Sequence, residues 1–456
     1  MMSLRELREL LARWIYSVLL WLLQPVYIVR LWLRGRAEPL YRSSISERFG
    51  RYQPSNAAET GWLWVHAVSL GETRAASALI EALREARPAM RLLLTHGTAT
   101  GREAGRALLR PGLDRQAWLP FDTPGATRRF FSRFQPAVGV LMETEIWPNL
   151  LHAAHAAGVP MVLANARLSE RSLAKGERFA PLLRPAVASL GSVLAQTDAD
   201  ACRLRQAGAA RVQVCGNLKF DMTPDSALLA RGHVWRALTT RPIVLFASSR
   251  EGEEIAVLDA WKAERAPRPQ LLIVPRHPQR FDEVAALAAA RGFTLARRSN
   301  WNAAPSHTAV EADVVLGDSM GEMAMYYAAS QVCLLGGSFE KLGGQNLIEA
   351  AACGCPIIMG PHTFNFADAS ERAIEAGAAV RVDGPAEAVV EAMRLARATG
   401  MRREMQNRAL AFAGAHRGAA QRMATVIAGM MPFSLWGGKL AAPKPQVNPG
   451  EEVSGD

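Results

Sequence analysis

The feature that most constrains this chain is a repeated pairing. A short, largely apolar run ends in a polar or glycine-bearing loop and is followed by a helical stretch. Runs at 62–66, 92–95, 136–142, 160–164, 193–195 and 212–215 follow this rule, and the pattern restarts at 242–247, 271–274, 313–316, 332–335 and 355–359. A strand that is apolar along its whole length is buried on both faces, which predicts parallel sheets covered by helices. Ligands of such sheets bind outside the carboxyl ends of the strands, and the polar loops fall at those ends. With 456 residues the chain is too long for one ordinary domain and suits two α/β domains. The expected division is a membrane-associated segment over 1–40, one domain over 41–225, a second over 226–431 and a disordered tail over 432–456. The polar stretch 222–241 is read as the linker region.

The first such loop is His66-Ala-Val-Ser-Leu-Gly-Glu-Thr-Arg74. Glu72 falls in the first turn of the following helix, where free amides and the helix dipole favour an ionised carboxylate. It reads either as a helix cap or as a general base facing the sheet edge. The run at 136–142 ends in Glu143-Thr-Glu145, the run at 160–164 in Asn165-Ala-Arg167, and the run at 212–215 in Gly216-Asn-Leu-Lys-Phe-Asp221.

In the second half, Gly317-Asp-Ser-Met-Gly-Glu322 and Gly343-Gly-Gln-Asn-Leu-Ile-Glu349 are the candidate phosphate-binding loops, since helix N-termini bind phosphate through their amides. Glu322 or Glu349 can accept hydrogen bonds from a ribose, and Arg276 and His277 can pair with phosphate or carboxylate. There is no GK[ST] loop and no isolated GxGxxG after the first strand, which disfavours P-loop NTPases and classical dehydrogenases.

The charge balance, 53 Lys and Arg against 42 Asp and Glu for a net +11, suits an anionic substrate or membrane. No compact basic block with interleaved aromatics points to nucleic acid. Cys202, Cys215, Cys333, Cys353 and Cys355 lie in apolar runs and read as reduced thiols of a cytosolic compartment. No HExxH is present, and Asp198-Ala-Asp200 after Thr197 reads as a helix cap rather than a metal–diphosphate motif, so no catalytic metal is expected.

Residues 14–33 (WIYSVLLWLLQPVYIVRLWL) are apolar and aromatic, long enough to span a bilayer, and interrupted by Gln24-Pro25 and Arg30. Arginines flank both sides, which leaves three readings open: a single anchor, a helix lying in the interface, or a buried helix hairpin. Either membrane reading keeps the remainder on the cytosolic side.

The blocks HAVSLGE (66–72), METEIWPNLL (142–151), NARLSERS (165–172), GNLKFD (216–221), PRHPQRF (275–281), GDSMGE (317–322), GGSFEKLGGQN (336–346) and MGPHTFNF (359–366) come in order. Together they resemble the 3-deoxy-D-manno-octulosonic acid (Kdo) transferases of lipopolysaccharide synthesis in Gram-negative bacteria. The resemblance runs from about residue 25 to about residue 425. It implies a GT-B fold, α/β, with two Rossmann-like parallel-sheet domains facing a cleft and an N-terminal membrane-associated helix. It implies transfer of Kdo from CMP-Kdo to a lipid A precursor at the cytoplasmic face of the inner membrane, with inversion and without metal or cofactor. By the same resemblance Glu72 is the base, and Glu143 and Lys219 stabilise the transition state. Pro275, Arg276, Met320, Gly321, Glu322, Asn346, Leu347, Ile348 and Glu349 bind CMP. The acceptor side would belong to 41–225 and the CMP-sugar side to 226–431. Two departures are visible: Gln345 stands where many members have His, and Thr95-His-Gly-Thr-Ala-Thr-Gly101 replaces Thr-Met-Thr-Pro-Thr-Gly. A transferase of the same fold using a UDP-sugar is the alternative.

Overall fold

The computed structural model describes residues 3–53, 60–221 and 223–431. The chain divides into two units. Of the described residues, one holds those up to Cys215 together with 420–431, and the other those from Gly216 to Ala419. The tail expected over 432–456 lies outside the described residues.

The first unit is built on β1 (Leu63–His66), β2 (Leu92–His96), β3 (Arg115–Trp118), β4 (Val138–Met142), β5 (Met161–Ala166), β6 (Ser192–Ala195) and β7 (Val212–Val214). They form one parallel sheet in the order β3-β2-β1-β4-β5-β6-β7. Residues of β1, β2, β4, β5 and β6 are buried along their whole length, which is why these runs carry no polar alternation. Strand order reverses between β1 and β4, so the crevice outside their carboxyl ends is the topological switch point.

The second unit repeats the plan with β8 (Ile243–Ser249), β9 (Gln270–Pro275), β10 (Leu295–Arg297), β11 (Val314–Leu316), β12 (Val332–Leu335), β13 (Ile357–Met359) and β14 (Ala379–Arg381), ordered β10-β11-β9-β8-β12-β13-β14. Alternate residues of β8 serve the two faces. Ile243, Leu245 and Ala247 pack into one cluster, Val244 and Phe246 into the other. The switch point here lies between β8 and β12.

Three readings of the sequence change. The strands β3, β10 and β14 carry no continuous apolar run, and all three are edge strands. The stretch read as a linker forms the helix Ser226–Leu238, capped by Asp225, which accepts from the Ala227 and Leu228 amides at 2.8 and 3.2 Å. It buries Trp235 and Gly232, the latter so close to the helix Met323–Ala329 that a Cβ would lie 2.4 Å from the Met325 carbonyl oxygen. The division therefore falls at Cys215/Gly216, earlier than the expected 225/226. The last helix, Ala419–Gly429, also returns to the first unit, where Arg422 donates to the Cys215 carbonyl at 2.9 Å.

At the N-terminus, α1 (Leu4–Leu22) and α2 (Gln24–Arg34) meet at a 48° bend. Ser3 and Glu6 form a capping box on α1. Pro25 near the start of α2 accounts for the break, since a proline there cannot extend the preceding helix. No single helix is long and apolar enough to cross a membrane, but the bent pair passes by length and composition. The buried-hairpin reading does not hold, because no residue of either helix is buried. Trp14, Trp21 and Val26 are each at least 60% exposed. The pair is still tied to the first unit: Tyr16 Oη donates to Asp122 at 2.9 Å, Ser17 Oγ to Asn149 at 3.1 Å, and Tyr27 stacks on Phe121 at 5.5 Å.

Candidate active site

After β1 the chain turns into α3 (Leu70–Ala86), and Ser69 caps it. Glu72 reaches back across that turn. Its Oε2 accepts from the Val68 amide at 2.8 Å and its Oε1 from the Ser69 hydroxyl at 3.0 Å. The capping reading of Glu72 is thus physically present. It does not exhaust the carboxylate, because each oxygen offers a second lone pair and the side chain is only half-buried. The expectation of a carboxylate held ionised by the helix terminus needs amending. Burial pushes the Glu72 pKa up and the Glu143 charge adds to this. The Val68 amide, the Ser69 hydroxyl and Arg167 pull it back without reversing it. A base whose pKa lies closer to neutrality is the better proton acceptor in a transition state.

The turn is held from behind by the loop after β2. Thr98 Oγ1 donates to the Val68 carbonyl at 2.9 Å and accepts from the Gly101 amide at 3.2 Å. This is the role of the residues 95–101 that depart from the common pattern. His66 and His96 are buried, and burial pushes them down to about 3 and about 4, so both are neutral supports rather than bases.

Across the switch point, Glu143 ends β4 with φ +57°, a left-handed conformation costly for a non-glycine residue. Its Oε2 accepts from Arg167 Nε at 3.0 Å, and Arg167 follows β5. Glu145, two residues on, accepts from Trp147 Nε1 at 2.8 Å. Burial, then the charges of Glu72 and Glu143, push Glu145 up to about 7. The first switch point therefore carries three mutually repelling carboxylates. Sequence reasoning singled out Glu72 and Glu143 but gave Glu145 and Arg167 no role, although both lie in the quoted blocks METEIWPNLL and NARLSERS.

The second unit presents cations and glycine-rich loops. Pro275 is buried at the end of β9, and the Arg276 amide donates to the Ser249 carbonyl at 3.0 Å, which leaves the exposed guanidinium at the sheet edge. Burial and the charges of Arg250, Arg276 and Arg280 together push His277 down, so a field of positive charge covers the loops after β8 and β9. The loop after β12 passes so close over β8 that a Cβ on Gly336 would lie 2.5 Å from the Ser248 carbonyl oxygen. Glu253, 1% exposed, joins the two loops: it accepts from the amides of Arg250 at 2.9 Å, Gly337 at 2.8 Å and Phe339 at 3.1 Å. Sequence reasoning gave it no role either, since the contact spans distant segments.

The remaining expected donor residues separate by what their side chains touch. Asn346 caps the helix Leu347–Ala352, accepting from the Ile348 amide at 3.2 Å. Leu347 and Ile348 are buried in the core, so they can meet a ligand only through backbone. Glu349 is half-buried on the same helix. Met320 is 67% exposed and Gly321 has φ +80°. Glu322 is already engaged by Arg298 at 2.9 Å, Arg231 at 3.2 Å and Ser319 at 2.5 Å. Burial raises its pKa, but these partners more than offset it and hold Glu322 below the ordinary value. A ribose would have to compete for that carboxylate. Lys219 lies in the short turn Leu218–Asp221, its Nζ 4.7 Å from the centre of the Phe366 ring. It belongs to the second unit, Glu72 and Glu143 to the first.

Among the described residues no group of three or more His, Cys, Asp or Glu is placed to hold a metal ion. Thr197 caps the helix Asp198–Gln206, its Oγ1 accepting from the Asp200 amide at 3.1 Å, the capping role read from the sequence. Burial pushes the Cys353 thiol up to about 12, an inert thiol.

The sequence profile of the family described as 3-Deoxy-D-manno-octulosonic-acid transferase (kdotransferase) matches residues 43–222. The 3-deoxy-D-manno-octulosonic acid transferase of Bordetella pertussis is 48% identical over 423 residues, 90% of this chain and 98% of that protein. Its counterpart in Haemophilus influenzae is 33% identical over 90% of this chain and 97% of its own length. A glycosyltransferase structure from Rickettsia africae superposes with a TM-score of 0.54 over 82% of this chain and 99% of that one, at 12% identity, a likeness of fold. Two Rossmann-like parallel-sheet units of the GT-B type and these relatives lead to one conclusion: the chain belongs to the 3-deoxy-D-manno-octulosonic acid transferases and is a Kdo transferase.

Proposed function

We propose that the chain transfers Kdo from CMP-Kdo to a lipid A precursor, lipid IVA, at the cytoplasmic face of the inner membrane. The observation that carries this reading is Glu72, a half-buried carboxylate with a raised pKa at the switch point of the first sheet. The acceptor hydroxyl gives its proton to Glu72 while its oxygen bonds to the anomeric carbon of Kdo. The bond from that carbon to the phosphate oxygen breaks, and CMP leaves with the electron pair. One base and one displacement from the opposite face invert the anomeric centre.

Glu143, held by Arg167, would face the oxocarbenium-like charge that develops on the sugar. Lys219 and Arg276 would offset the leaving phosphate or the donor carboxylate, and the amides around Gly321 and Asn346 would receive CMP. With cations in these roles the reaction needs no metal. The exposed aromatic and aliphatic residues of α1 and α2, flanked by arginines, support a seat in the membrane interface.

The test is product mass after mixing purified protein, CMP-Kdo generated in situ and tetra-acylated lipid A precursor in the presence of chelator. A gain of one or more Kdo units is expected. No gain, with CMP still bound, would move the reading to a different donor or acceptor.

A further inference from the structure

Glu253 has a neighbour that the chemistry above does not use. Glu254 stands beside it in the first turn of the helix Glu253–Ala263 and is fully buried. Its Oε1 accepts from Ser249 Oγ at 2.8 Å and from Arg280 Nη1 at 2.6 Å. Its Oε2 has no hydrogen-bond partner among the described residues, so one oxygen carries both contacts. A carboxylate at that depth is costly unless its partners hold it, and both partners belong to loops at the edge of the second sheet.

Those partners tie down both ends of the loop 276–280. At its start the Arg276 amide donates to the Ser249 carbonyl at 3.0 Å. At its end Arg280 reaches Glu254, which also takes the Ser249 hydroxyl. Ser249, 1% exposed, is the common anchor, and the strand end that presents it is irregular. Between Ala247 and Ser249 the register of β8 against β9 shifts, and Ser248 has φ +53°. A non-glycine residue in that conformation costs energy and persists where its surroundings over-determine it.

Charge sorts the arginines of this edge. The charges of Arg250, Arg276 and Arg280 meet around His277. Arg280 is shared between Glu254 and Glu283, the latter at 2.9 Å, so its charge is already met. Among the described residues no carboxylate lies within ion-pair distance of Arg250 or Arg276. Arg250 follows Ser249 directly and Arg276 is anchored on it, so the spacing of these two cations is set at Ser249.

We propose that Glu254 is a positioning residue for the donor. Through Ser249 and Arg280 it fixes the loop after β9 against the end of β8, and so holds Arg250 and Arg276 at the spacing that grips the donor phosphate. This assignment rests on the reading of CMP-Kdo as donor and adds Arg250 to the groups that meet it. The sign of the effect separates position from charge. Glu254 is itself negative, so by charge alone its removal would tighten the binding of an anion; by position its removal loosens it.

Calorimetric titration of the full-length protein with CMP in neutral detergent, beside steady-state kinetics with varied CMP-Kdo, decides it. Glu254→Ala should raise the CMP Kd and the donor KM about tenfold or more, with kcat within about threefold of the parent, the pattern of lost uniform binding. Glu254→Gln should stay within about threefold of the parent in all three, because its amide oxygen replaces Oε1 and its nitrogen takes the place of the unpaired Oε2. A CMP Kd unchanged or lowered in a folded Glu254→Ala would overturn the proposal, and so would an equal rise in Glu254→Gln. If Glu254→Ala fails to fold, Ser249→Ala decides instead, since it keeps the carbonyl that receives the Arg276 amide and removes only the hydroxyl tie. A CMP Kd raised about threefold or more is then expected, and an unchanged one overturns the proposal. A parent that binds no CMP would overturn the donor reading and this proposal with it, a failure seen in the parent alone.

Discussion

Glu72 follows the first strand of one sheet, Glu253 follows the first strand of the other, and each carboxylate accepts amide hydrogen bonds from its own loop. Their surroundings then diverge. Glu253 is 1% exposed and accepts from three amides across two loops. Glu72 is half-buried, accepts from one amide and one hydroxyl, and faces two further carboxylates. Burial raises both pKa values. What separates a structural clasp from the base proposed at Glu72 is therefore not the shift but the lone pairs that remain accessible. The same contrast extends over the two switch points. The first gathers Glu72, Glu143 and Glu145, suited to taking a proton and facing a cationic sugar; the second gathers Arg250, Arg276 and His277, suited to an anionic donor.

The largest expected effect breaks the pair apart by activity. Glu72→Gln keeps an acceptor for the Val68 amide but cannot take a proton, so turnover should fall about 10²–10⁴-fold, the usual contribution of a general base. CMP affinity should stay within a few-fold, because a base acts on the chemical step. Equal loss of turnover and CMP binding would return Glu72 to a mere cap. The complementary change is Glu253→Ala. It strands three buried amides, each costing about 1–3 kcal/mol, so stability should fall by roughly 3 kcal/mol or more in a denaturant titration. A fully stable Glu253→Ala enzyme would show that the two loops hold themselves.

This asymmetry also marks how far the sequence could be read. Glu72 was legible because Ser69-x-x-Glu72 is a local pattern, with cap and carboxylate three residues apart. Glu253 was not, because its partners Gly337 and Phe339 come from a strand-end far along the chain. The central strands were legible because burial on both faces makes them apolar throughout. The strands β3, β10 and β14 were not, because an edge strand is partly solvated and its short run (Arg115–Trp118, for example) carries polar residues. The helix Ser226–Leu238 was hidden for a similar reason. Its inward face is Leu228, Gly232 and Trp235, of which only Trp235 is a large buried side chain, too little to stand out among Arg231, His233 and Arg236. Within the segments expected to hold the donor, the sequence did not show the split in which Leu347 and Ile348 serve the core while Arg276 is exposed.

A smaller effect tests the cationic side. Lys219→Ala should lower turnover by about one to two orders of magnitude, somewhat less than loss of a single preorganised donor at a developing charge. Donor KM should change less than turnover. Steady-state kinetics with varied CMP-Kdo would separate the two, and unchanged turnover would remove Lys219 from the reaction and leave Arg276 as the candidate for that charge.

The smallest effect sharpens the acidic side, through Glu145. Its pKa is pushed up to about 7 by burial and then by Glu72 and Glu143, whereas an unfolded chain would titrate it near the ordinary value of about 4.3. The folded state thus holds this proton more tightly. The associated stability is present below the ordinary value and is lost as pH rises through about 7. Glu145→Gln imitates the protonated form and keeps an acceptor for the Trp147 indole. Its melting temperature should match the parent near pH 4 and exceed it at pH 8. The charge that adds to burial in raising Glu72 is that of Glu143, so Glu143→Gln should move the acid limb of the kcat/KM profile to lower pH by a fraction of a unit. Glu253→Gln, which is not part of the acidic cluster, should move no limb. A limb unmoved by Glu143→Gln would mean that Glu72 owes its raised pKa to burial alone. The difference between the two glutamates would then reduce to how many amides each one holds.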